Sequence, residues 1–170
     1  MKKFAILSFF ILFNLLFLVG CGEDSPNIDT STPEGKLEQS VRTELENYGG
    51  TLVTFRDIQV LDSGVDDKKL IVVNCNGTIL DNKLNTIKEY NIAIAHIVKA
   101  IYTSEIPIKN CTIAIWSDVV NTKTGEESNI NSYTLVIPPQ NTEKIKWENI
   151  DSIDITKNAT NIEVHSVLRK

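Results

Sequence analysis

One long amphipathic stretch constrains the fold of this 170-residue chain more than any other feature. Between Leu84 and Ile101 the apolar residues recur at intervals of three and four, which is the spacing of one face of an α-helix. The stripe consists of Leu84, Ile87, Ile94, Ile97, Val98 and Ile101. Asp81 or Asn82 precedes it as an N-cap candidate, and the pattern runs to about Thr103. The stretch therefore predicts a long core helix that buries this stripe against another layer.

A second amphipathic helix is predicted ahead of this one. Thr32 can serve as its N-cap, Pro33 suits the first helical position, and Gly49 or Gly50 ends the helix. Its apolar face consists of Leu37, Val41, Leu45 and Tyr48. The charged residues between these positions predict a solvated face, and they are Glu38, Arg42, Glu44 and Glu46. The apolar stripe predicts packing of this helix on a sheet.

Two pairs of strands complete the pattern. The first pair runs from Thr51 to Leu61 and from Lys69 to Leu80, and both segments are rich in β-branched residues. In the first of them the apolar positions change parity at Arg56-Asp57, which predicts a bulge or a bend. The second pair consists of residues 111–119 and residues 133–137, with a turn-rich segment between them. Each pair therefore predicts a hairpin.

The order of these elements predicts an α+β fold, α-β-β-α-β-β followed by a short helix and a tail. A mainly antiparallel sheet of about four strands with two helices on one face is the simplest arrangement that hides both helical stripes. Pro138-Pro139 ends the last strand, and Asn141 or Thr142 opens the short helix. Residues 151–170 are one more strand or a loose cover, and the sequence leaves both alternatives open.

The N-terminus has the features of a targeting segment. Lys2 and Lys3 precede an apolar run from Phe4 to Phe17, and the small Gly20 precedes Cys21. This pattern is typical of a secretory signal that is removed, and Leu-Val-Gly-Cys resembles the bacterial lipobox. The resemblance implies that residues 1–20 are a lipoprotein signal peptide and that acyl chains on Cys21 hold the chain on the extracytoplasmic side of the cell membrane. An uncleaved anchor or an ordinary cleavage site is the alternative, although the run is shorter than the roughly 20 residues of a spanning helix.

The remaining chain divides into a tether and one domain. Residues 21–33 are predicted to be the lipidated cysteine and a flexible tether, because residues 22–31 contain one apolar side chain and bury too little surface to become ordered. Residues 34–170 are predicted to be a single globular α+β domain. Removal of Lys2 and Lys3 with the signal takes the formal net charge from -5 to -7. A domain this acidic repels phosphate backbones, so nucleic acid is not an expected partner.

The sequence contains few residues arranged for catalysis. His96 and His165 are its two histidines, which excludes a histidine-rich zinc site. His96 has no second histidine three or four residues away, and it is predicted to be a surface or rim residue. Serine-hydrolase, zinc-protease, phosphate-loop and dinucleotide-binding motifs do not occur. We therefore expect no catalytic residue, no metal and no cofactor, although carboxylates are numerous enough for an acid-base pair to remain an alternative.

Two further cysteines lie in predicted strands. Cys75 and Cys111 each have the parity that points toward the core. If their strands are neighbours, a disulfide between them is one interpretation. Two buried free thiols that pack as small apolar groups are the other interpretation.

Trp116 has the opposite parity from the apolar residues of its strand. It shares the outward face with Thr112, Ala114 and Asp118. If that face is bare, Trp116 and Asp118 mark a contact surface. Burial of Trp116 under the C-terminal tail is the alternative.

The order of elements from about Glu34 to Ile150 resembles that of small, uncharacterised lipoproteins of low-GC Gram-positive bacteria, particularly clostridia. Residues 143–149, Glu-Lys-Ile-Lys-Trp-Glu-Asn, look like the Lys-Ile-Asn-Trp-Asp-Asn type of segment in that group, with Lys146 replacing the asparagine. The resemblance implies a location and a fold and transfers no functional residue.

Together these features predict a membrane-anchored extracytoplasmic lipoprotein. Its domain is expected to be a non-enzymatic binding module for an envelope protein, a peptide or a wall component. An inhibitor or immunity lipoprotein and a carboxylate-dependent cell-wall hydrolase are the alternatives.

Overall fold

A computed structural model describes residues 28–169 as two α-helices on one face of a five-stranded sheet, so the predicted signal peptide and Cys21 lie outside the described residues. The helices are α1 (Pro33–Tyr48) and α2 (Lys83–Tyr102). The strands are β1 (Val53–Asp62), β2 (Lys69–Gly77), β3 (Ile108–Val120), β4 (Glu127–Ile137) and β5 (Asn161–Val164). Short 3-10 turns lie at Pro139–Asn141, Trp147–Ser152, Ile155–Asn158 and Ser166–Leu168.

Helix α1 begins and ends where the sequence predicts. The Thr32 side chain accepts a hydrogen bond from the Gly35 amide at 3.0 Å, and Pro33 occupies the first helical position. Gly49 ends the helix with a φ of 65°, in the left-handed region that favours glycine. Leu37, Val41 and Leu45 of the apolar stripe are buried. The predicted N-cap, C-cap and buried face of this helix are confirmed.

Helix α2 is the main core helix, as its long stripe predicts. Asn82 caps it by accepting hydrogen bonds from the amides of Leu84 and Asn85 at 3.1 and 3.3 Å. The buried side chains of its central and C-terminal turns include Tyr90, Ile94, Ile97, Val98 and Ile101. Leu84 belongs to the predicted stripe but is exposed in the first turn. The helix therefore buries its stripe partly at Ile87 and fully from Ile94 onward.

The sheet is mixed and has the strand order β1-β2-β3-β4-β5. The pairs β1–β2, β3–β4 and β4–β5 are antiparallel, whereas β2 and β3 are parallel. The α+β class is confirmed, but the sheet has five strands rather than about four, because the tail contributes β5. The parallel pair arises because α2 carries the chain from the end of β2 back to the start of β3, as a crossover helix does.

The tail both extends the sheet and covers the helices. After β4 the turn at Pro139–Asn141 contacts β3, the turns at Trp147–Ser152 and Ile155–Asn158 pack against α2, and Ile155 is fully buried in the core. Partly buried apolar residues of this segment also contact the core, and they are Ile145, Trp147, Ile150 and Ile153. The chain then forms β5 beside β4. The predicted alternative of one more strand is therefore present, whereas the rest of the tail is packed into the core and is not a loose cover.

A bulge in β1 lies where the change of parity predicts it. The register with β2 shifts between Phe55 and Asp57, which leaves Arg56 as the extra residue. Because of this residue, Phe55 and Ile58 both contact the core. The predicted bulge is confirmed.

A second bulge separates Ile115 from Trp116 in the β3–β4 pair and leaves Ser132 as the extra residue of β4. The Ser132 hydroxyl donates to the Ile115 carbonyl at 3.0 Å and lies 2.8 Å from the Ser117 hydroxyl. The Tyr90 hydroxyl lies 3.1 Å from the same Ser117 oxygen. This buried chain of hydroxyls satisfies the polar groups at the irregularity, as burial requires.

Candidate functional site

The sheet face opposite the helices carries the outward side chains of β3, and we call it the open face. Ile113 and Ile115 are fully buried on the helix side, whereas Trp116 is partly buried and Asp118 is exposed. The tail packs against α2 rather than over Trp116. Trp116 and Asp118 therefore lie on the outward face as predicted, and the alternative of burial under the tail is not what the structure has.

The edge of the Trp116 ring is held by a neighbouring strand. Trp116 Nε1 donates a hydrogen bond to Asn74 Oδ1 of β2 at 3.0 Å. Asn74 Nδ2 in turn donates to Asp57 Oδ1 of β1 at 2.7 Å. A partly buried indole N–H requires a partner of this kind. These two consecutive hydrogen bonds link three strands and fix the orientation of the Trp116 ring.

Arg56 covers part of the Trp116 ring. Its guanidinium carbon lies 5.4 Å from the ring centroid, within the range of a cation–π contact. Arg56 Nη1 also donates to Asn129 Oδ1 of β4 at 3.1 Å, and Asn129 Nδ2 donates to Asp118 Oδ1 at 2.8 Å. The bulge in β1 places Arg56 at this position. We call the resulting group the Trp116 cluster, and its members are Arg56, Asp57, Asn74, Trp116, Asp118 and Asn129.

The charged side chains of the cluster contribute little to the stability of the fold, and their main effect is to hold neighbouring side chains in position. Arg56 Nε lies 3.9 Å from Asp57 Oδ2, and both side chains are nearly half exposed. An exposed pair of this kind contributes about 0 to 1 kcal/mol. The cluster therefore presents a fixed aromatic ring with a polar, hydrogen-bonded rim. Tryptophan and arginine are among the residues that are enriched at the energetic centres of protein interfaces.

The sequence indicates two of the six cluster residues, Trp116 and Asp118. The change of parity at Arg56 marked the bulge but gave no reason to place its side chain on Trp116. Asn74 lies between two buried residues of β2, so its outward parity was readable. That β2 lies beside β3 was not readable, because the two predicted hairpins could be joined in more than one order.

The two strand cysteines lie on neighbouring strands but too far apart to be bridged. Cys111 is opposite Ile71, and Cys75 is opposite Ile115. This offset of four residues corresponds to roughly 13 Å along the strand, whereas a disulfide requires Cα atoms within about 7 Å. Both thiols are free and buried. The disulfide interpretation is therefore corrected, and the alternative of two buried free thiols is the arrangement present.

We expect iodoacetamide to leave Cys75 and Cys111 unmodified in the folded protein and to alkylate both in concentrated urea. Burial, with a smaller contribution from Asp57, raises the pKa of Cys75 to about 12, and burial also raises the pKa of Cys111. Because the thiolate is the reactive form, labelling should be at least about a hundredfold slower in the folded state. Peptide mass mapping measures each site separately. Equal labelling rates with and without urea would contradict the buried placement.

A second polar cluster lies in the helix layer, where the sequence predicts solvated side chains. His96 is 6% exposed rather than a surface or rim residue, and its ring contacts Glu44 of α1 and Asp151 of the tail. Glu44 also contacts Lys99, so it is not part of a solvated face. Both predictions failed because they considered each helix alone. The packing of α1 on α2 brings these side chains together.

Comparison with family models, with curated proteins and with solved structures finds no match for this chain. From Ile28 to Arg169, neither helix is long and apolar enough to cross a membrane. Within the same residues, no group of three or more histidine, cysteine or acidic side chains has an arrangement that could hold a metal ion.

Proposed function

We propose that this chain is a lipid-anchored extracytoplasmic lipoprotein whose domain binds a protein of the cell envelope through the open face. The observation that carries the proposal is the Trp116 cluster on the sheet face opposite the described helices. The anchor rests on the signal-like N-terminus and on Cys21.

The shape and chemistry of the open face favour a protein partner. A ring that is already fixed by Asn74 and Arg56 loses little conformational entropy when a partner covers it. Asp118 and Asn129 form a polar rim beside the ring, which is the usual arrangement around a binding hot spot. Every member of the cluster lies on a strand rather than on a loop. The cluster therefore has the properties of a preformed contact surface.

The anchor would keep this surface close to the membrane. A tether of about a dozen residues reaches a few tens of ångströms at most by random-coil scaling. A membrane protein, or a protein held at the same membrane, is therefore the expected class of partner. Replacement of Cys21 by alanine should abolish the incorporation of labelled fatty acid into the protein, and labelling that persists in the variant would contradict lipid anchoring at this residue.

Photocrosslinking of the full-length protein in its producing cells tests the binding surface. Gln59 and Gln39 form a matched pair of exposed glutamines, the first on the open face and the second on α1. With p-benzoylphenylalanine in place of Gln59 we expect one discrete crosslinked protein, and with the same group at Gln39 we expect none.

A second experiment introduces Trp116→Ala into the protein that carries p-benzoylphenylalanine in place of Gln59, and measures the yield of the crosslinked product. Removal of a central tryptophan from an interface commonly weakens binding about tenfold or more, so the crosslinked product should fall to a similar extent. Circular dichroism of the variant checks that the domain remains folded. Equal crosslinking from Gln39 and Gln59, or a yield that Trp116→Ala leaves unchanged, would overturn the proposed surface.

A further inference from the structure

His96 joins three separate parts of the fold. It lies on α2, its Nδ1 is 3.2 Å from Glu44 Oε2 on α1, and its Nε2 is 3.1 Å from Asp151 Oδ1 in the Trp147–Ser152 turn. The imidazole is almost entirely buried, so the two carboxylates are the hydrogen-bond partners of its nitrogens while the turn is docked. The contact with Asp151 attaches the tail to the helix layer.

The two contacts require the charged form of the ring. An ionised carboxylate accepts hydrogen bonds and donates none, so each carboxylate needs an N–H from His96. The protonated imidazole has two N–H groups and satisfies both partners. The neutral imidazole has one N–H, and its other nitrogen then presents a lone pair to a carboxylate. Loss of the proton to solvent therefore breaks one of the two contacts.

The surroundings of His96 decide which contact breaks. Burial opposes the ionisation of Glu44, but hydrogen bonds from Lys99 and His96 outweigh it and lower the pKa of Glu44. Lys99 Nζ lies 2.7 Å from Glu44 Oε1, so Glu44 stays in place as a carboxylate. Asp151, by contrast, has a side chain that is 78% exposed and can turn to water. The neutral ring should therefore keep Glu44 and release Asp151.

The other titratable side chain that packs against the ring does not change its charge in the neutral range. The Tyr48 ring of α1 packs against His96 with the ring centroids 5.5 Å apart. The hydroxyl of Tyr48 donates to Glu89 of α2, and burial together with Glu89 raises the pKa of this tyrosine. Tyr48 thus keeps its proton throughout the neutral range. Histidine is the side chain that ordinarily changes charge between about pH 5 and 8.

We propose that His96 is a pH-sensitive clasp, whose protonated ring holds the Trp147–Ser152 turn on the helices and whose neutral ring releases it. The turn borders a groove of about 330 Å³, lined by Leu84, Ile87, Ile92 and residues 151–154 among others. Release at Asp151 widens this groove, while the buried Ile155 keeps the rest of the tail in the core. The clasp therefore couples pH to a local opening rather than to unfolding.

Fluorescence of the full chain tests the clasp. The chain contains two tryptophans, so Trp116→Phe leaves Trp147, in the turn itself, as the reporter. Between about pH 5.5 and pH 8.5 we expect the Trp147 emission to shift to the red in one transition as the turn becomes solvated. Hydrogen exchange of residues 147–152, corrected for its intrinsic pH dependence, should become about tenfold faster over the same range.

The two histidines of the chain supply matched variants. His165→Gln should leave the transition unchanged, and His96→Gln should abolish it. Asp151→Asn changes an exposed position and tests the same contact without altering the core. Its amide can accept from the protonated ring or donate to the neutral one, so the turn should stay docked at both pH values. A wild-type response that is flat, or one that persists in His96→Gln or Asp151→Asn, would overturn the proposal.

Discussion

Replacement of Gly77 by alanine is expected to lower the free energy of unfolding by about 3 kcal/mol, at the upper end of what overpacking of a core usually costs. A Cβ atom at this position would lie 2.3 Å from Ile115 Cγ2 and 2.6 Å from the Tyr90 hydroxyl. Both neighbours are fully buried, so displacing either of them disturbs the packing of the core. The Tyr90 hydroxyl also bonds the Thr78 carbonyl and lies beside Ser117, so its displacement would break the buried chain of hydroxyls.

Urea unfolding followed by circular dichroism measures the effect of Gly77→Ala. Gly64→Asn is the matched control, because Gly64 has no neighbour within 4 Å of its Cβ position and a φ of 75°, which asparagine tolerates. The control should cost less than about 1 kcal/mol. If the two variants unfolded at the same urea concentration, the close packing of β2 against Tyr90 would be contradicted.

Replacement of Ile155 by alanine is expected to cost about 2 to 4 kcal/mol, as large-to-small changes in a core do. Ile155 belongs to the tail, yet its side chain is fully buried in the main core cluster. Truncation removes three carbons from a core site beside α2, where the surrounding side chains cannot collapse completely. The tail is therefore expected to contribute to global stability and not only to cover the surface.

Ile162→Ala provides the comparison for Ile155→Ala within the same tail. Ile162 lies on β5 and is 43% exposed, so its truncation removes less buried surface and should cost less than about 1 kcal/mol. Thermal unfolding of the two variants should show a clearly lower Tm for Ile155→Ala alone. Equal Tm values would contradict the placement of residues 155–158 in the core.

The local elements of this protein were readable from the sequence because their signals lie in adjacent residues. Thr32 and Pro33 specify the start of α1 through the geometry of its first turn, whatever the helix later packs against. The bulge at Arg56 was readable for a similar reason, since a change of parity within one strand must be corrected within that strand. The outward direction of Trp116 follows from the same alternation.

The sequence does not predict which of these elements become neighbours in the fold. The partners of Trp116 come from β1, β2 and β4, and their approach depends on the parallel pairing of β2 with β3. The burial of His96 depends on how α1 and the tail pack on α2. The separation of Cys75 from Cys111 depends on the register of the same parallel pair.

The sequence by itself determined the α+β class, the caps of α1, the bulge in β1 and the outward face of Trp116. The tertiary structure alone decided the fifth strand, the parallel pair, the Trp116 cluster and the His96 contacts. The first group depends on hydrogen bonds and alternation within a few residues, which the local chain specifies. The second group depends on contacts between residues far apart in the chain, and a single sequence does not specify which of several orders of strands brings them together.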